Sequence, residues 1–134
     1  MDERTFPRTF ASLADIFTFT AGFFGREAID QAARLAVDFA IEELFTNMVK
    51  YNPANPHGIR IGLQRKDDQV EVRLTDFHME PFDPTEAPEA DVSSSVQDRP
   101  IGKLGLHLLK EMVDDVGYQH QGGQSTITLI KRLG

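Results

Sequence analysis

No cysteine occurs among the 134 residues, which excludes disulfides, thiolate nucleophiles and cysteine-bound metals. The absence fits a reducing compartment. The four histidines are scattered and show no zinc-ligand spacing. Nowhere do about 18 apolar residues run together, and the opening MDERTFPRTF carries acids and no apolar targeting core. Positive charge is scarce, with 14 basic against 21 acidic residues, a net charge of -7 and a pI near 5.0. That balance argues against a general nucleic-acid or anionic-membrane surface. The expectation is a soluble, cytoplasmic protein that binds neither nucleic acid nor membrane.

What is present reads as one domain over 1–134, long enough to bury a core and still hold a cofactor-sized cleft. Thr5 to Ala11 is β-branched and aromatic, which predicts an edge strand. Ser12, followed by an acid three residues on, predicts the cap of a first helix that stops near Gly25. A longer helix is expected from Ile29 to Tyr51, ended by the prolines of N-P-A-N-P. Ile59–Arg65 and Val70–Thr75 alternate apolar with polar residues and predict a hairpin. A third helix is expected over Leu104–Val116, and a last hairpin joins 118–121 to 125–133 through Gly122 and Gly123. Between them, PFDPTEAPEADVSSSVQDRP has no period and little apolar content, so this loop is either functional or disordered, and a mobile lid is expected at about 78–104. This order predicts an α+β fold, a two-layer sandwich with a mixed, mostly antiparallel sheet and three helices on one face.

The long helix holds a puzzle in AIEELFTNMVKY, Ala40 to Tyr51. At about 100° per residue from Ala36, Ala40 lies near +40°, Glu43 near -20° and Asn47 near +20°. Arg34, Asp38, Glu42 and Thr46 form a second, polar stripe that reads as the solvent face. Glu42 therefore needs only water. Glu43 shares the sheet-facing stripe, where an unpaired buried carboxylate costs several kcal/mol. Two readings stand side by side. Glu43 lies at the margin and snorkels out while Asn47 bonds a neighbouring backbone, or the stripe opens into a pocket where Glu43 takes a proton and Asn47 coordinates a hard cation.

Asp76 ends the alternating strand VEVRLTDF, where an aspartate either makes an ordinary turn or accepts hydrogen bonds from a ligand amine. Farther on, RPIGKLGLHLL sets Gly102 and Gly105 at a loop-to-helix junction. Free backbone N–H groups and the positive end of a helix receive phosphate there, although glycines also serve simply to let a loop enter a helix.

Taken together and in this order, these features resemble the Bergerat-type ATP-binding fold, and most closely the small anti-sigma-factor serine/threonine kinases. Glu43-Leu44-Phe45-Thr46-Asn47 matches that family's E-x-x-x-N motif, Asp76 its adenine aspartate, and IGKLGLHLL its glycine-containing lid. The run Pro81 to Pro84 and the closing strand STITLIKRL are also similar to members of this family. The resemblance implies ATP and Mg2+ as cofactors, Glu43 as general base and Asn47 as magnesium ligand. It places Asp76 and His78 at the adenine, Ser125 beside it, and the backbone of Gly102, Lys103, Leu104, Gly105 and Leu106 at the phosphates. Lys50, one turn past Asn47, reads either as a phosphate contact or as a helix C-terminal cation.

By the same resemblance the chain sequesters a sigma factor, phosphorylates an anti-sigma-factor antagonist and forms a homodimer. The apolar first helix, with Phe17, Phe19, Phe23 and Phe24, is the expected partner surface. One departure stands out, because the adenine motif ordinarily reads D-x-G and here reads Asp76-Phe77-His78. It gives weight to a rival reading, a non-catalytic nucleotide-binding or partner-binding module of the same fold.

Overall fold

The computed structural model describes residues 1–77 and 109–133. Five strands and two long helices are described, in the order β1 (Asp2–Phe6), α1 (Ser12–Arg26), α2 (Gln31–Tyr51), β2 (Ile59–Lys66), β3 (Gln69–Phe77), β4 (Asp115–Gln121) and β5 (Gln124–Arg132). Residues 109–112 are helical and belong to the third helix. The sheet order is β1-β2-β3-β5-β4 and every one of these pairings is antiparallel.

Alternation settles which face is dry. Ile59, Ile61 and Leu63 of β2, Val70, Val72 and Leu74 of β3, and Ile127 and Leu129 of β5 are all essentially inaccessible. They pack against Val37, Ala40, Ile41, Leu44, Phe45 and Met48 of α2 in a single core. Burying a side chain of this size stabilises by about 1.5–3 kcal/mol, so the two layers are held mainly by this face. The small residues of α2, Ala33, Ala36 and Ala40, let the helix lie close to the sheet.

Several expectations are corrected. The first strand is Asp2–Phe6, ending before Pro7, whose missing N–H cannot join the ladder. Ser12 does not cap α1; the cap position is Ala11, and the Ser12 hydroxyl donates to the carbonyl of Pro7 at 2.7 Å. The helix runs past Gly25 to Arg26, and Ala28 takes the left-handed conformation, φ 52°, that reverses the chain. α2 begins at Gln31, capped by Asp30, whose carboxylate accepts from the N–H of Ala33 at 3.1 Å. Val116 lies in β4 rather than on the third helix, because the helix gives way at 113–114.

The polar stripe of α2 is only partly a solvent face. Glu42 is exposed as expected, yet Asp38 is half-buried and accepts from Thr20 of α1 at 2.8 Å, and Arg34 lies over the ring of Phe24. Phe23 and Phe24 are core residues, 2% and 1% exposed, so they offer no partner surface; Phe17 and Phe19 remain half-buried and Phe10 is exposed. Gly122 and Gly123, with φ of 60° and 78°, make the two-residue turn of the last hairpin, where both positions need positive φ.

Candidate functional site

The antiparallel register carries a row of residues across the dry face at its far end: Phe6, Ile59, Asp76, Ser125 and His120 are successive cross-strand partners. Phe6 and Ile59 continue the core, and then the row turns polar. Asp76 is 1% exposed and Ser125 2%. An acid at this position follows from the strand reading, since it falls two residues beyond Leu74 on the same face.

Asp76 Oδ1 is crowded with donors. It accepts from Arg8, from the Phe77 N–H at 3.1 Å and, at 3.5 Å, from the side chain of Asn55. Oδ2 is equally buried and has no hydrogen-bond partner among the described residues. Burial pushes the carboxyl above its ordinary range, and Arg8, the Phe77 N–H and the charge of His57 pull it back. Ser125 is also engaged from the far side, with its hydroxyl 2.8 Å from His120 Nδ1 and 3.3 Å from the Tyr118 hydroxyl.

α2 packs on this face of the sheet, against β3 and β5. Asn47 is 2% exposed and its amide nitrogen has no hydrogen-bond partner among the described residues. Of the two readings of this side chain, a bond from its amide nitrogen to neighbouring backbone is therefore not made. One turn earlier, Glu43 is half-buried and its carboxyl is raised, chiefly by burial and then by the charge of Glu42, against the lowering effect of Lys50. Lys50 itself is exposed at the end of the helix. The floor thus offers a carboxylate biased toward accepting a proton and an unsatisfied amide one helical turn beyond it. Rotating that amide exchanges nitrogen for oxygen, so the residue fits either a phosphate or ribose acceptor or a hard cation such as Mg2+.

Arg8 and Asn55 are the residues that sequence reasoning missed. Arg8 reaches from the β1–α1 connection, donating to the carbonyl of Met48 at 3.0 Å, to that of His57 at 3.1 Å and to Asp76. Asn55, in the α2–β2 loop, donates to the Phe77 carbonyl at 2.8 Å and accepts from the His57 N–H at 2.9 Å. The loop closes tightly on β1 at Gly58, where a Cβ would stand 2.6 Å from the Phe6 carbonyl oxygen. P-R in a presumed strand and N-P-H-G after a helix gave no periodic signal that could have singled out either side chain.

Glu43, Asn47, Lys50, Asp76 and Ser125 are thus placed on α2 and on the polar end of the sheet that α2 covers. His78, Gly102, Lys103, Leu104, Gly105 and Leu106, together with the expected lid, lie outside the described residues. Among the described residues no cluster of three or more acidic or histidine side chains could hold a metal. No described helix is long and apolar enough to cross a membrane.

Residues 6–131 match the model of the histidine kinase-like ATPase domain. The serine/threonine-protein kinase BtrW of Bordetella bronchiseptica is 26% identical over 98 residues, covering 72% of this chain and 68% of BtrW. Among solved structures, the SiaB–SiaC complex from Pseudomonas aeruginosa matches with a TM-score of 0.64 at 14% identity, over 98% of this chain and 89% of that one. The RsbU and RsbW domains of Rv1364c from Mycobacterium tuberculosis match with a TM-score of 0.70 at 17% identity, over 98% of this chain and 32% of that one.

Proposed function

The chain belongs to the histidine kinase-like ATPase family, and from that premise we propose that it is a serine/threonine protein kinase of the anti-sigma-factor type. It binds ATP between α2 and the polar end of the sheet, passes the γ-phosphoryl group to an anti-sigma-factor antagonist, and sequesters a sigma factor. The observation that supports the reading is that Asp76 Oδ2 on β3 and Asn47 Nδ2 on α2, the helix that packs on this sheet, are both buried with no hydrogen-bond partner among the described residues. A buried polar atom without a partner costs about 1–3 kcal/mol. A ligand that donates to the carboxylate and accepts from, or brings a cation to, the amide removes both penalties. A nucleotide with an exocyclic amine at one end and phosphates at the other has that pattern.

In the transfer, the substrate hydroxyl oxygen forms a bond to the γ-phosphorus as the bond to the bridging β-γ oxygen breaks, leaving ADP. Glu43 takes the hydroxyl proton, a role helped by the raised affinity of its carboxyl for protons. Asn47 would hold Mg2+ through its amide oxygen; the ion, when bound, neutralises charge on the phosphate oxygens. Lys50 contributes a point charge near the same end of α2, and the backbone of Gly102 to Leu106 is assigned to the phosphates. The likeness to a serine/threonine-protein kinase supports transfer to a hydroxyl. The half-buried Phe17 and Phe19 and the exposed Phe10 are the surface assigned to a second copy or to a protein partner.

The second reading, a binding module that has lost transfer, is favoured by one observation, His78 in place of the motif glycine. Incubating the protein with Mg-ATP and its cognate antagonist separates the two. Transfer that Glu43→Gln abolishes while leaving ADP affinity intact supports the kinase; wild-type protein that binds ATP without transfer supports the module.

A further inference from the structure

Arg8 is a buried cation that neither the family motifs nor the transfer chemistry uses. Its side chain is 4% exposed, and each of its three guanidinium nitrogens has a different acceptor: Nε the His57 carbonyl, Nη1 the Met48 carbonyl and Nη2 Asp76 Oδ1. The Met48 carbonyl lies in the last turn of α2, where a positive charge is favoured. The guanidinium is therefore pinned to the end of α2, to the loop after it and to the end of β3, and cannot turn without breaking all three.

The consequence falls on Asp76. With Arg8, the Phe77 N–H and Asn55 all on Oδ1, that oxygen is saturated, while Oδ2 is buried beside it with no donor among the described residues. We propose that Arg8 is a positioning residue that divides the Asp76 carboxylate into a structural oxygen and a ligand oxygen, and so makes the site select a base with an exocyclic amine over one with a carbonyl there. The inference rests on the nucleotide reading above.

The chemistry of selection is simple. An ionised carboxylate is acceptor-only, so Oδ2 welcomes an N–H donor and repels a carbonyl oxygen. Burial raises the Asp76 carboxyl and the hydrogen bond and charge of Arg8 oppose that rise, so Arg8 favours the ionised state. Removing Arg8 shifts the balance toward the protonated form, which has a donor of its own and accommodates a base carbonyl as well as an amine. The other groups that face Asp76 are Asn55 and His57 from the α2–β2 loop, and Ser125 from β5 with His120 and Tyr118 behind it on β4. None of these other groups donates to Oδ2.

The test compares Mg-ADP with Mg-IDP, which replaces the amine by a carbonyl, by calorimetry on the full chain between pH 6 and 8. Wild-type protein should favour ADP by at least about tenfold, since a site left with an unpaired buried polar group discriminates strongly. In Arg8→Met the preference should fall to within about twofold at pH 6 and recover as pH rises and Asp76 ionises, a pH dependence that mere loosening of the fold does not produce. Arg8→Lys restores the charge and should recover most of the preference at pH 6. A folded Arg8→Met protein that keeps the wild-type preference at every pH overturns the role of Arg8 and leaves the nucleotide site standing.

If Arg8→Met does not fold, the Nε–H resonance of Arg8 in wild-type protein decides. It should stay protected from solvent exchange when ADP binds, because Arg8 and the base use different oxygens. Exchange that accelerates on binding means that the nucleotide displaces Arg8, and the inference fails. Wild-type protein that binds both nucleotides equally sinks the inference alone, whereas binding of neither overturns the nucleotide reading together with it.

Discussion

Asp76 and Ser125 stand opposite one another in the β3–β5 register, both buried, yet they face different partners: Asp76 is held by Arg8 and Ser125 by His120 and Tyr118. Their substitutions should therefore separate. Asp76→Asn removes the acceptor charge from the ligand and leaves Arg8 as an uncompensated buried cation, which costs about 3 kcal/mol or more of stability. Its ADP affinity should fall below detection at millimolar nucleotide. Ser125→Ala loses the hydroxyl's neutral contacts with His120 and Tyr118, about 0.5–1.5 kcal/mol each, and should weaken ADP by roughly threefold to tenfold. Urea unfolding and calorimetry on both variants check the ranking; equal losses of affinity would contradict the division of labour.

Asn47 should trade function against stability. Its amide nitrogen is buried without a partner among the described residues, so Asn47→Leu, which keeps the branched side-chain skeleton with methyls in place of the amide, removes an unpaid desolvation cost. Apo stability should rise by about 1 kcal/mol, or roughly 3 °C in melting temperature for a domain of this size. The same variant should lose the magnesium-dependent part of the stabilisation by ATP or ADP, which in wild-type protein grows as RT ln(1 + [L]/Kd). Scanning calorimetry with and without Mg-ADP measures both. A variant less stable than wild type, or one still stabilised by Mg-ADP to the full extent, contradicts the assignment.

The placement of these residues divides according to how each is encoded. Glu43, Asn47 and Asp76 were legible because each interrupts a periodic segment, and angle or alternation then says which face it occupies; Ser125 was singled out only through the likeness of the closing strand. Ser12 and the Asp38 stripe were misread for a shared reason. Cap patterns and polar stripes are local signals, whereas the Pro7 carbonyl and Thr20 that engage them arrive by tertiary packing. Arg8 shows the limit most plainly: it is 68 residues from Asp76 in sequence, and its three acceptors include two backbone carbonyls that no sequence pattern marks.

Ala28 offers a test of local backbone strain. The turn from α1 toward α2 is closed by the N–H groups of Glu27 and Ile29 on the carbonyls of Phe23 and Phe24, both at 3.0 Å, and Ala28 between them takes φ 52°. That conformation disfavours any Cβ, and glycine is the usual residue there. Ala28→Gly should stabilise by about 0.5–1 kcal/mol, the relief of strain exceeding the extra freedom of glycine in the unfolded chain. Nucleotide affinity should not change. A lower urea midpoint for the variant would show that the strain is not there.

Asp38 predicts a pH dependence with a definite sign. Burial between α1 and α2 lifts its carboxyl above the ordinary value of 3.8; the hydrogen bond from Thr20 opposes that lift and the charge of Glu42 adds to it. A raised acid binds its proton more tightly in the native state than in the unfolded chain. The contribution is therefore fully present below pH 3.8, and it is lost as pH rises through the raised native value. Asp38→Asn keeps an oxygen to accept from Thr20 but has no proton to lose. Relative to wild type, the variant should gain stability as pH rises from about 4 to 7, although Glu43 and Asp76, also raised, keep a downward slope in both proteins. Urea midpoints at four pH values across that range measure the difference. A constant offset between the two proteins at all four would mean that Asp38 titrates no differently in the folded protein than in the unfolded chain.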